Sequence, residues 1–201
     1  MDVQFPFYTK EIILASASPR RRYLLELIGI RHKVIKPEIN EEDQDVDDPA
    51  EHVLKLSHLK AHQVAQRVES GIVVGADTIV VFRGEILGKP RDQHEAISML
   101  GRLAGRWHEV YTGLTVIETQ SHKMAQGYER TRVKMRKLTP EEIQAYVATG
   151  EPMDKAGSYG IQGIGAGIVE KVYGCYFNVV GLPIVRLLSL LREIEEGREV
   201  E

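Results

Sequence analysis

The sequence predicts an α/β protein with a mixed sheet arranged in two lobes. Three observations carry that prediction. Ile72-Val-Val-Gly-Ala-Asp-Thr-Ile-Val-Val-Phe82 is so rich in β-branched residues that only a buried strand accommodates it. Apolar residues at helical spacing recur between the strand-like runs, as in Val53, Leu56, Ala61 and Val64, and again in Ile184, Leu187, Leu191 and Ile194. Turn signals such as Arg83-Gly84 join other apolar runs directly, so hairpins alternate with helices.

Taken in order, Ile12 to Ala15 reads as a first strand, and a helix follows at once. Ser18 suits its N-cap, Pro19 its first position, and Leu24, Leu25, Leu27 and Ile28 its apolar side. Gly29 stops it, and His32 to Lys36 forms a short strand. An acidic loop from Pro37 to Asp48 precedes a helix opened at Pro49 by an Asp48–Glu51 capping box. Gly71 is read as the end of that helix. After the long strand, Glu85 to Leu87 returns as its hairpin partner, and Asp92 with Glu95 opens a helix to about Leu103. Val110 to Glu118 and Thr131 to Leu138 read as a long hairpin. In its second strand Thr131, Val133 and Met135 alternate with Arg132, Lys134 and Arg136, a half-buried pattern with a basic solvent face. Thr139, Pro140 and Glu142 start a helix that ends at Gly150. A glycine-rich segment, Gly157 to Gly167, leads to a strand from Ile168 to Val172. The last helix begins at Pro183, with Ile184, Leu187, Leu188, Leu191 and Ile194 as its stripe.

Composition bounds the function. A net charge of −3 gives no bulk attraction to nucleic acid or membrane, and no basic, aromatic-studded face is visible in the linear order. The single cysteine, Cys175, excludes an internal disulfide framework; beside Tyr173, Tyr176 and Phe177 it reads as packing. No run approaches the ~20 apolar residues of a membrane helix, and Met1 to Lys10 has no secretory pattern, so a cytoplasmic protein is expected.

The richest local chemistry lies in Ser16-Ala-Ser-Pro-Arg-Arg-Arg22, where a strand runs through a turn into a helix N-terminus. Free backbone N–H groups carry roughly half a positive charge there, and arginine forks match phosphate oxygens. Three cations at a positive helix end oppose the dipole unless an anion arrives. Asp77 stands in the middle of an apolar strand, where a carboxylate is costly unless it is paired or binds a metal. Lys89, between Gly88 and Pro90, is rigidly held in a turn. The glycine-rich segment has neither phosphate-loop nor dinucleotide-binding order, and Gln162 is its one polar side chain able to read a ligand. His58 and His62 are four apart on a helix, but no glutamate follows His58 as a zinc hydrolase requires. No Gly-x-Ser-x-Gly elbow is present.

Leu14-Ala-Ser-Ala-Ser-Pro-Arg-Arg21, Gly75-Ala-Asp-Thr78, Leu87-Gly-Lys-Pro90, Lys155-Ala-Gly-Ser-Tyr-Gly-Ile-Gln-Gly163 and Val180-Gly-Leu-Pro183, read together, resemble the Maf family of nucleotide pyrophosphatases. The resemblance runs in order through nearly the whole chain. It implies one catalytic domain over residues 1–201, with two lobes about a central cleft, similar to the inosine triphosphate pyrophosphatase fold. It implies a cytoplasmic homodimer that uses Mg²⁺ or Mn²⁺ to split a nucleoside triphosphate into monophosphate and pyrophosphate, with no stable nucleic-acid or membrane partner.

Residue by residue, the family resemblance places catalysis on Asp77, Glu41, Lys60 and Lys89. It places substrate binding on Ser16, Arg20, Arg21, Thr78 and Gln162, and metal ligation on Glu41 and Asp77. Asn40 stands where the family often carries an aspartate before that glutamate. Ala76-Asp-Thr78 and Tyr159-Gly-Ile-Gln-Gly163 resemble the dTTP/UTP branch and depart from its 7-methyl-GTP sister. The chemistry agrees: four cations match the roughly four charges of a triphosphate, and phosphoryl transfer is chiefly positioning and charge stabilisation. The alternatives are a non-catalytic nucleotide-binding regulator of cell division, to which the family's septum-formation-inhibitor label points, and a sugar-nucleotide transferase, which would require an acceptor site.

Overall fold

The computed structural model describes residues 10–39 and 46–196. Its strands form one seven-stranded mixed sheet. In chain order these are β1 (Ile12–Ala15), β2 (His32–Val34), β3 (Ile72–Phe82), β4 (Glu85–Leu87), β5 (Trp107–Glu118), β6 (Met124–Met135) and β7 (Val169–Tyr173). Their spatial order is β2-β1-β3-β5-β6-β7, with β4 paired to β3. β1 runs parallel to both β2 and β3, whereas β4 and β7 pair antiparallel. The helices are α1 (Pro19–Leu27), α2 (Pro49–Ala65), α3 (Gln93–Leu103), α4 (Pro140–Ala148), α5 (Tyr176–Val180) and α6 (Ile184–Glu196). No helix among the described residues is long and apolar enough to cross a membrane.

The chain divides into two units. The first comprises residues 1–77, 112–129 and 181–201. Its β1 and β3 carry Ile13, Ala15 and Val73 into one cluster with Ala61 and Val64 of α2. α2 lies close because Gly75 has no side chain: a Cβ there would meet the Ser57 carbonyl oxygen at 2.3 Å and the Ala61 Cβ at 2.8 Å. The second unit comprises residues 78–111 and 130–180. Val80, Phe82 and Val110 form a core there with Leu100 and Leu103 of α3 and with Ile143 and Val147 of α4.

Local chemistry explains most boundaries. Asp48 caps α2 by accepting from the Ala50 and Glu51 amides, and Thr139 with Glu142 closes a reciprocal capping box on α4. At α3 the reciprocal half moves one residue: Asp92 accepts from the Glu95 amide, but the Glu95 carboxylate takes the Arg91 amide. Ser18 occupies the N-cap of α1 without a side-chain cap bond; its own amide donates to Ser16 Oγ at 3.1 Å. Arg83 and Gly84 both have positive φ, at 54° and 84°, the type I′ turn that matches strand twist.

Several expected boundaries shift. α2 ends at Ala65, and Gly71 instead leads directly into β3, its carbonyl accepting from the Thr119 amide. β2 stops at Val34. β6 starts seven residues before Thr131, because pairing with β5 holds Met124 to Arg130 extended although those residues lack strict apolar alternation. On α6, Leu190 is buried and Leu188 only half-buried. Around half-buried Cys175, Tyr173 is 74% exposed, while Tyr176 is partly exposed and sits edge-on to half-buried Phe177, their ring centroids 5.6 Å apart. That turn is also held by Thr131 Oγ1, which accepts from the Cys175 amide.

Candidate active site

In the first unit the β1–α1 turn is organised around one hydroxyl. Ser16 is buried, and its Oγ accepts from the Ser18 amide and, at 3.2 Å, from Arg21 Nη1. A serine hydroxyl has two acceptor lone pairs and one donor, so these contacts leave it to act as a donor. The arginine triplet resolves into three different fates. Arg22 points outward to Glu26 as an exposed i,i+4 pair. Arg21 turns inward, its Nε donating 2.8 Å to the Gly181 carbonyl. Arg20, half-buried, sits at the second position of α1, where backbone N–H groups are still unsatisfied by the helix.

The register of the parallel pair sets the second part of the site. Ala15 lies opposite Gly75, so the Ser16 turn leaves β1 close to the level at which β3 presents Asp77. Asp77 is buried, and Lys60 of α2 donates to its Oδ1 at 2.6 Å. The close approach that Gly75 permits brings Lys60 within reach. A buried carboxylate facing a buried ammonium satisfies the requirement that buried charges be paired. The same site therefore offers an anionic oxygen, a cation, a hydroxyl donor and a helix N-terminus. Glu41, the other acidic residue expected here, lies outside the described residues.

The second unit holds Thr78, Lys89 and Gln162. Thr78 is half-buried on β3, directly after Asp77. Lys89 is exposed after β4 and makes no ion pair among the described residues. Gln162 is half-buried, and its side chain forms no hydrogen bond among the described residues. The segment that carries it folds into 3-10 turns, over Ala156–Ser158 and Gly163–Ile168, that the glycine content does not foretell.

Sequence reasoning missed several buried polar residues in this unit. His108 is buried, with its Nε2 2.6 Å from the Tyr159 hydroxyl and its ring edge-on to that tyrosine. Burial pushes the imidazole pKa down to about 4, so it is neutral. Asn178 donates to the Val110 carbonyl and to Thr131 Oγ1. Tyr146 and Glu151 bond to each other under the glycine-rich segment. The only available signals were a histidine and an asparagine at apolar-phase positions of their elements.

Elsewhere in this unit an open pocket of about 250 Å³ is lined by Val81, Arg83, Trp107, Glu109 and Arg132 among others, none of them an expected site residue. The basic solvent face of β6 is as expected at Arg132, which is exposed and lies 5.0 Å over the Trp107 ring. Strand pairing thus gathers a cation and an aromatic that are far apart in the linear order. His58 and His62 stack with ring centroids 5.5 Å apart, but no group of three or more metal-ligating residues occurs among the described residues.

The Maf-like protein family model matches residues 11–194. The chain belongs to the Maf-like family. Among curated Maf relatives, the dTTP/UTP pyrophosphatase of Dictyoglomus turgidum is 53% identical over 183 residues, covering 90% of this chain and 95% of that protein. The dTTP/UTP pyrophosphatase of Carboxydothermus hydrogenoformans is 50% identical over 183 residues, covering 91% and 98%. That of Bacillus cytotoxicus is 49% identical over 188 residues, covering 94% and 97%. The chain is also similar to the solved structure of the Staphylococcus aureus Ham1 protein, with a TM-score of 0.48 and 15% identity over 94% of this chain and 100% of that one.

Proposed function

We propose that this Maf-like protein hydrolyses dTTP and UTP, or base-modified pyrimidine nucleotides, to the monophosphate and pyrophosphate. One observation carries the reading: the buried Lys60–Asp77 pair on the same unit as the Ser16–Arg21 turn, where β1 ends beside the middle of its parallel neighbour β3. The names of relatives about half identical over nine-tenths of the chain support it.

The chain's own groups perform distinct tasks in this scheme. The N–H groups opening α1, the Arg20 and Arg21 guanidiniums and the Ser16 hydroxyl hold phosphate oxygens. Asp77 orients a water for in-line attack on the α-phosphorus and accepts its proton; the pyrophosphate group departs. Lys60 holds Asp77 in place for that transfer, and offsets negative charge on the phosphates. Lys89 and Gln162 take the phosphate-contacting and base-reading roles that the family resemblance implies. Gln162 has both a donor and an acceptor, which pair with the acceptor–donor edge of a uracil-type base.

A divalent ion fits the donor chemistry. Asp77 supplies a hard carboxylate oxygen, and Mg²⁺ characteristically uses one or two carboxylates together with substrate phosphates and waters. Asp77 would hold it, with Glu41 as the second carboxylate. When bound it supplies Lewis-acid polarisation of the phosphate oxygens.

Pyrophosphate release measured across eight common nucleoside triphosphates tests the proposal. Highest kcat/KM for dTTP and UTP is expected, with free monophosphate as co-product. A purine ranking first would refute the pyrimidine choice, and binding without release would favour a regulator.

A further inference from the structure

Gln162 sits at the tip of a turn whose two ends are tied to a single side-chain pair. Tyr146 of α4 is buried and donates its hydroxyl proton to Glu151 Oε1 at 2.8 Å. The same hydroxyl oxygen accepts from the Gly160 amide at 3.1 Å, two residues before Gln162. Glu151 then takes the other end, accepting from the Ile164 amide and the Gly165 amide, each at 2.9 Å. Four hydrogen bonds thus close a short loop, Gly160–Gly165, in which Gln162 is the one polar side chain. Packing leaves that loop little room. A Cβ at Gly163, whose φ is +67°, would lie 2.7 Å from Glu151 Oε2, and one at Gly165 would lie 2.1 Å from the Gly160 carbonyl oxygen.

We infer that Glu151 is a specificity-positioning residue, acting with Tyr146 to hold the Gly160–Gly165 turn in the conformation that presents Gln162 to the base. The inference rests on the proposed reading role of Gln162. The arrangement suits a carboxylate and nothing else. Each oxygen meets an N–H donor, and an ionised carboxylate is acceptor-only. A glutamine would turn an NH₂ toward one of those amides. Burial works against ionisation of Glu151, but the Tyr146 hydroxyl, the Gly165 and Ile164 amides and Lys155 outweigh it and hold the carboxyl below its ordinary range. The pair touches no substrate in this scheme; it removes the freedom of the group that does.

The test is kcat/KM for UTP and GTP, with thermal melting, in full-length Glu151→Gln, Tyr146→Phe, Gln162→Ala and Glu151→Gln/Gln162→Ala. Loosening the turn should lower the UTP-over-GTP preference on the order of tenfold, less than the ~100-fold that a 1 Å misplacement can cost, mainly through a higher KM for UTP. In the Gln162→Ala background, Glu151→Gln should cost no further preference. A merely structural glutamate would lower kcat for both nucleotides alike, leave the ratio intact and add to Gln162→Ala; that result overturns the inference. If Gln162→Ala collapses the preference and Glu151→Gln does not, the base-reading role stands and the clamp fails. If Gln162→Ala itself leaves the preference intact, the base-reading role fails and the clamp with it. Should Glu151→Gln not fold, Tyr146→Phe, which cuts only the Gly160 tie and one Glu151 contact, gives the same readout.

Discussion

Lys60 Nζ lies 2.6 Å from Asp77 Oδ1, and each side chain is only 8% exposed. The pair joins the middle of α2 to the middle of β3, so one contact connects the chemistry of the proposed site to the packing of its unit. Removing one partner of a buried ion pair typically costs about 3–5 kcal/mol, because the remaining charge keeps its desolvation penalty.

Asp77→Asn is therefore expected to do two things. Loss of the proton acceptor should lower kcat at least about a hundredfold. The lost charge should also lower the urea midpoint, and Lys60→Met in the same chain should restore much of that stability without restoring activity. Chemical denaturation alongside pyrophosphate release separates the two effects. Near-wild-type turnover in folded Asp77→Asn would remove Asp77 from the mechanism.

The arginines of the β1–α1 turn should differ in kind. Arg21→Lys should lose activity and some stability, because a lysine cannot contact the Gly181 carbonyl and Ser16 Oγ with one fork. Arg132→Ala should leave kcat/KM nearly unchanged and cost at most about 1 kcal/mol from its stack on Trp107. An Arg132→Ala effect on turnover larger than that of Arg21→Lys would mean that the phosphates bind elsewhere.

Two glycines give a packing contrast. Gly75→Ala should destabilise by roughly 1–3 kcal/mol through overpacking against Ser57 and Ala61, and should weaken catalysis as α2 is displaced with Lys60. Gly88→Ala meets nothing within 4 Å among the described residues and should stay within about 0.5 kcal/mol of wild type. Urea midpoints of the two variants decide the matter, and equal stability would argue against the tight α2–β3 contact.

Stability should also depend on His108. Its folded pKa is held down to about 4 by burial, below the 6.5 of an exposed imidazole. Between those values the unfolded chain binds the extra proton, so stability is full above pH 6.5 and falls as pH drops toward 4. The shift corresponds to about 3 kcal/mol at most. His108→Gln should flatten that part of the pH–stability curve, measured by denaturation at stepped pH; an unchanged slope would assign the acid sensitivity to other groups.

The sequence by itself determined the element order, most caps and turns, and the identity of the charged groups at the proposed site. Those features are written locally. β-Branched runs, Thr139 with Glu142, and Arg83-Gly84 act over a few residues, and Ile72–Phe82 kept its expected bounds. The family resemblance carried the proposed role of Lys60, which no local pattern announces, whereas Gln162 already stood out as the one polar side chain of the glycine-rich segment able to read a ligand. Tertiary structure alone decided the partnerships: that Lys60 faces Asp77, that Arg21 turns in while Arg22 turns out, and that Tyr146 and Glu151 brace the turn around Gln162. It also decided that Met124–Arg130 is strand and that Leu190 is core. Except for the Arg22–Glu26 pair within α1, these partnerships join groups from separate elements, as far apart as Arg21 and Gly181 at 160 residues, which meet through helix packing or sheet register. A linear pattern holds the spacing of residues along one element, but the distance between elements is set by the side chains that separate them. At Gly75 that separation is a missing Cβ.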